Sequence, residues 1–79
     1  MVDTERFKKW LEENTTYSDA VIGDMSSRVK RADSLLAWYD EEVYQFYLEQ
    51  NEQYKLLSVS VRSQIKKSVK LYRQFITSK

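Results

Sequence analysis

Ser58-Val59-Ser60-Val61-Arg62-Ser63-Gln64-Ile65-Lys66-Lys67-Ser68-Val69-Lys70-Leu71-Tyr72-Arg73-Gln74-Phe75-Ile76-Thr77 repeats its apolar residues every three or four positions. Val61, Ile65, Val69, Tyr72 and Ile76 line one face, with Ser68 and Phe75 at its margin. That interval is the helical one. Ser58 or Ser60 supplies an N-cap hydroxyl, and the segment predicts the longest and most regular helix of the chain, ending near Thr77.

The same interval recurs upstream. A first helix starts at Asp3 or Thr4, sets Phe7, Trp10 and Leu11 on one face, and ends near Asn14, where Asn14-Thr15-Thr16 competes for backbone hydrogen bonds. A second begins after Ser18, with Asp19 in the dipole-favoured first turn and Val21, Met25, Val29, Ala32 and Leu36 as its stripe. Gly23 costs this helix about 1 kcal/mol relative to Ala, and close helix packing is its expected reason. Residues 33–39, Asp33-Ser34-Leu35-Leu36-Ala37-Trp38-Tyr39, read as a fraying end or a turn that carries two aromatics inward. Asp40 caps a third helix with Glu41 and Glu42 in its first turn and Val43, Phe46, Tyr47 and Leu48 as its buried face. Asn51-Glu52-Gln53 marks a turn, with Tyr54, Leu56 and Leu57 packing after it. The expectation is one compact all-α domain of four helices over residues 1–79.

Composition bounds the function. The chain has 79 residues, one Gly, and no Pro, Cys or His. At this length only about 60% of the unfolded surface is buried on folding, so the core must be thin. Without Cys or His, no ordinary zinc site, disulfide, thiol nucleophile or imidazole base is expected. One glycine does not make a phosphate-cradling loop. Catalysis then rests on carboxylates alone, and neighbours such as Glu12/Glu13 or Glu41/Glu42 point about 100° apart on a helix. No enzyme activity, cofactor or small-molecule substrate is expected. No apolar run reaches membrane-spanning length and the N-terminus lacks a signal-peptide layout, so a cytoplasmic protein is expected.

The net charge of +1 conceals a division. Residues 41–53 hold Glu41, Glu42, Glu49 and Glu52 and no base. Residues 54–79 hold seven bases, Lys55, Arg62, Lys66, Lys67, Lys70, Arg73 and Lys79, and no acid. On a helix Arg62, Lys66, Lys70 and Arg73 fall within an arc of roughly 80° opposite the apolar stripe, flanked by Lys67. Like charges one turn apart disfavour a helix slightly, so a binding role is one reading: an anion, above all a nucleic-acid backbone. Ser60, Ser63 and Gln64 add donors near the helix start. Pairing with the acidic third helix or with a protein partner is the other reading, and an anionic membrane surface a third. A weaker cluster, Ser26, Ser27, Arg28, Lys30 and Arg31, shares the second helix with Asp24. Of the 2 Trp, 6 Tyr and 3 Phe, those on the helical stripes read as core rather than as stacking platforms for bases.

Phe7-x-x-Trp10-Leu11, then Ser18 and Met25-Ser26-Ser27-Arg28-Val29-Lys30-Arg31, then Asp40-x-x-Val43, then Ser63-x-Ile65-Lys66-x-x-Val69-x-x-Tyr72-x-x-Phe75, form a familiar progression. It resembles the SAM-like N-terminal (core-binding) domain of tyrosine recombinases, the phage integrases, and the related helical domain associated with restriction endonuclease-like proteins. The resemblance covers nearly the whole chain through core positions of permissive spacing. It implies a SAM-like orthogonal bundle from a phage or mobile element that clamps duplex DNA beside a catalytic domain. Carried over, its DNA-facing residues fall on Ser26, Ser27, Arg28 and Arg31 of the second helix and on Arg62, Lys66, Lys67 and Lys70 of the last. With Arg73 from the basic stripe, these are the expected nucleic-acid contacts. The alternative expectation is a small interaction or regulatory module, with a homodimer as one form, using its acidic and basic faces or an exposed Trp38-Tyr39.

Overall fold

The computed structural model describes residues 2–78. Met1 and the basic Lys79 lie outside the described residues. The chain is all-helical, with α1 (Thr4–Asn14), α2 (Asp19–Leu35), α3 (Val43–Gln50), α4 (Glu52–Lys55) and α5 (Val59–Thr77), and no strand among the described residues. No helix among them is long and apolar enough to cross a membrane.

Short polar side chains start the elements. Asp3, Ser18 and Ser58 accept hydrogen bonds from the backbone N–H of Arg6, Val21 and Val61 at 3.2, 3.4 and 3.2 Å. Each satisfies one N–H that the first helical turn leaves unpaired. Of the two candidate serines, Ser58 therefore opens α5. A fifth element, α4, replaces the expected turn. Asn51 makes it possible: its Oδ1 accepts from Tyr54 N–H at 3.0 Å, while its Nδ2 donates to the Leu35 carbonyl at 2.9 Å.

The buried faces differ from expectation on two helices. On α2 the core side is Ile22, Met25, Ser26, Val29 and Ala32, a rotation of about 40° from the expected stripe. Val21 is left exposed and Ile22 takes its place. α2 is also helical through Asp33 and Ser34, where a fraying end or a turn was expected. On α3 the core side is Tyr44 and Leu48, whereas Val43, Phe46 and Tyr47 face solvent. The Tyr44 hydroxyl sets this rotation, donating to the carbonyls of Ala32 at 3.1 Å and Leu36 at 2.6 Å. Asp40 does not cap α3. Glu42 occupies the N-cap position with helical dihedrals and no side-chain cap bond, and Asp40 lies 3.9 Å from Arg73 instead. Leu56 is exposed, while Tyr54 is buried as expected. Gly23 also departs from expectation: a Cβ built there would meet nothing within 4 Å, so close packing is not its reason.

Two hydrophobic clusters share α5. Phe7, Leu11, Ile22, Met25 and Val29 pack with Tyr72 and Phe75. Ala32, Tyr44, Leu48 and Tyr54 pack with Ile65 and Val69. Trp38 packs against both clusters, its ring edge-on to Tyr44 at 4.7 Å and to Tyr72 at 4.9 Å. The segment between α2 and α3 thus carries a staple into the seam. At the other end Tyr72 Oη accepts from the backbone N–H of Asp3 at 2.8 Å, tying the start of α1 to α5.

Candidate nucleic-acid interface

α5 buries Ile65, Ser68, Val69, Tyr72 and Phe75, and this choice divides its cations into two sets. Lys66, Lys67 and Lys70 lie roughly 125–165° around the helix from the centre of the buried face, and all three are exposed. Ser63 and Gln74 are exposed in the same sector. Arg62 and Arg73 lie nearer the core, roughly 85–105° from its centre, and both are half-buried. The four-residue arc expected from the sequence is therefore an outward lysine face with two arginines on its flank.

Of the two arginines, Arg73 is paired with a carboxylate of its own chain, while Arg62 forms no ion pair among the described residues. Arg73 Nη1 is 3.9 Å from Asp40 Oδ1. Arg62 passes beside Tyr54, whose hydroxyl donates to the Arg62 carbonyl at 2.9 Å. Burial is the leading cause that raises the pKa of Tyr54 above its ordinary value, so this phenol stays a donor at neutral pH. A groove of about 290 Å³ runs between α3 and α5, with Trp38, Tyr44 and Val69 among its apolar lining. Glu41 and Glu42 line it together with Lys66, Lys70 and Arg73. Acid and base thus face each other across one seam of a single chain.

The lysines keep their charge for solvent. Among the described residues none of the three lies within 4.0 Å of a carboxylate; the ion pairs are Arg6–Asp3, Lys8–Glu5 and Arg73–Asp40. Lys67 Nζ rests 5.8 Å from the Tyr17 ring centroid, a cation–π contact that positions an ammonium without neutralising it.

The second-helix residues do not join this face. Ser26 is 2% exposed and donates to the Ile22 carbonyl at 3.1 Å, so it belongs to the core and not to a phosphate contact. The rotation of α2 that buries Ile22 carries Ser26 in with it. Ser27 and Arg31 are exposed but lie roughly 155–165° from the stripe that packs on α5, which points them away from Lys66 and Lys70. Arg28 is half-buried at the side of α2. Gln74 was not expected on the basic face, since only the position of the buried stripe places it there.

Comparisons with protein-family models, with curated proteins and with solved structures find no match to this chain.

Proposed function

We propose that this chain is a non-catalytic module that holds duplex DNA by its phosphates through the outward face of α5. One observation carries the reading: Lys66, Lys67 and Lys70 stand exposed on one helix face with no carboxylate within ion-pairing distance. Phosphate neutralisation by such cations releases condensed counterions and drives sequence-independent binding. Ser63 and Gln74 extend the face with neutral donors of the type that contact phosphate oxygens. Lysine is a point charge without the planar fork that reads a guanine edge, so sequence selectivity is low. The resemblance to the core-binding domain of tyrosine recombinases, with its SAM-like orthogonal bundle, belongs to the same proposal. The second helix contributes less than that resemblance implies, because Ser26 is buried and Arg31 faces elsewhere.

A homodimer in which acidic α3 meets basic α5 of another copy has less support. Asp40 already neighbours Arg73, and Glu41 and Glu42 share a groove with Lys66 and Lys70 within one chain. Trp38 and Tyr39 are both half-buried and packed on the core.

Charge reversal at two sites tests the DNA reading. Lys66→Glu with Lys70→Glu lowers the affinity for a short duplex at about 0.1 M salt by about tenfold or more. Lys30→Glu with Arg31→Glu makes the same change in net charge on α2 and shifts it less than about threefold, because salt screens charges beyond about 10 Å. Equal losses in both pairs would mean attraction by net charge alone and would overturn the assignment to α5.

A further inference from the structure

α3 is apolar on two sides. Tyr44 and Leu48 face the core at 1% and 0% exposure, while Val43, Phe46 and Tyr47 are 45%, 61% and 53% exposed. The centres of the two sides lie about 130° apart around the helix, so no rotation of α3 buries both. The outer residues follow the i, i+3, i+4 spacing of a helix contact face. The rings of Phe46 and Tyr47 meet edge to face at 5.4 Å, making one aromatic surface. Phe and Tyr are enriched where proteins bind one another, and clustered exposed apolar side chains mark such sites.

The charge around this strip selects what covers it. Glu42 and Glu49 stand four residues before and three after Phe46, at neighbouring positions of the helix surface, and Glu41 and Glu52 lie at the helix ends. All four are exposed, and among the described residues none lies within 4.0 Å of a Lys or Arg. Glu49 borders a groove with Arg62 and Lys66, and Glu41 and Glu42 border one with Lys66, Lys70 and Arg73, in neither case forming an ion pair. Laying α3 of a second copy against α3 would oppose glutamates with glutamates. Nucleic acid and anionic lipid carry the same sign and are repelled for the same reason. A helix with an apolar stripe and basic margins satisfies both the aromatic strip and the carboxylates, the helix-on-helix-face mode of recognition. We propose that the outer face of α3 is a docking strip for a cationic amphipathic helix of a protein partner, with its apolar stripe on Val43, Phe46 and Tyr47 and its Lys or Arg side chains beside Glu42 and Glu49. The strip adjoins the lysine face of α5, because Glu42 and Glu49 border grooves that also hold Lys66, but its peptide test does not depend on whether that face binds DNA.

The test uses two synthetic helical peptides with the same leucine stripe at i, i+3, i+4 and i+7, one with lysine margins and one with glutamate margins. Each is titrated against the full chain, against Phe46→Ser with Tyr47→Ser, and against Glu42→Gln with Glu49→Gln, with circular dichroism confirming the fold of each variant. The lysine-margined peptide binds the parent chain and weakens by about tenfold with the aromatic pair removed. It weakens by about threefold or more with the glutamates neutralised, and the glutamate-margined peptide binds at least about tenfold less tightly than its lysine counterpart. No binding of the lysine-margined peptide overturns the proposal. So does equal binding of both peptides, or retention of affinity in either variant. A concentration-dependent dimer seen by sedimentation and abolished by Phe46→Ser with Tyr47→Ser assigns the strip to a second copy instead.

Discussion

Ser26 shows why a single residue resisted assignment from the sequence, and Ser68, placed at the margin of the buried stripe, shares its geometry. Both are buried, and both satisfy themselves by donating to the carbonyl one turn back, Ile22 at 3.1 Å and Gln64 at 2.9 Å. A helical serine with that bond carries no unpaired donor into the core, so its polarity gave no warning and Ser26 read as surface. Gly23 was also misread. It sits within α2 without a positive φ and with open space where its Cβ would be. Gly23→Ala therefore stabilises the domain by about 0.5–1 kcal/mol, read as a rise of several degrees in thermal midpoint; a fall would show that the site is tighter than it stands here. The tyrosines set the alkaline limit. Burial is the leading cause that raises Tyr44, Tyr54 and Tyr72 above the ordinary phenol value of 10.0. Above about pH 10 the unfolded chain sheds phenol protons that the folded chain keeps, so the stability these groups contribute is complete below that pH and is lost as pH climbs through their raised values. Urea midpoints are expected to hold steady to about pH 9.5 and then decline, with the tyrosinate absorbance of these three appearing together with unfolding. Ionisation of all three in a fully folded chain would contradict the burial argument.

Helix existence was legible where one apolar stripe had no rival. α1 and α5 are capped by Asp3 and Ser58, each one of the two starts that the sequence allowed, and Phe7, Leu11, Ile65, Val69 and Tyr72 are buried as expected. α3 was not legible, because Val43/Phe46/Tyr47 and Tyr44/Leu48 are both acceptable stripes and periodicity alone does not rank them. A tertiary hydrogen bond ranks them: the Tyr44 hydroxyl reaches the end of α2. The same physics hid α4, since Asn51 reads as turn punctuation but joins three elements. It ends α3, caps α4 and donates to Leu35 at the end of α2. Asn51→Ala removes the cap and leaves the half-buried Leu35 carbonyl without that donor, a loss of about 2 kcal/mol in chemical denaturation. Asn51→Asp keeps the capping oxygen but not the donor, and recovers only part of that loss. Full recovery by Asp would show that the bond to Leu35 contributes nothing.

Across the whole molecule, the near-zero net charge is an average over surfaces of different character. Asp40 lies beside Arg73, and Glu41 and Glu42 share a groove with Lys66 and Lys70, yet among the described residues Lys66, Lys67 and Lys70 stay exposed and form no ion pair. The all-α class and the basic character of the last helix were readable from spacing and composition. The split between outward lysines and inward arginines was not, because it depends on Phe75 and Ser68 drawing the buried face of α5 toward themselves. The parting of the α2 cluster from α5 depends likewise on Ile22 replacing Val21 in the core. Trp38 fixes these faces relative to one another by joining the two hydrophobic clusters. The central claim is that the lysine face alone meets duplex phosphate, and the salt dependence of binding measures it. With three lysines engaged, log K against log salt from about 50 to 200 mM is expected to fall with a slope of about −3, flattening to about −1 for Lys66→Glu with Lys70→Glu. A parent chain with no detectable duplex binding at the lowest salt, or a slope that the double variant leaves unchanged, would contradict it.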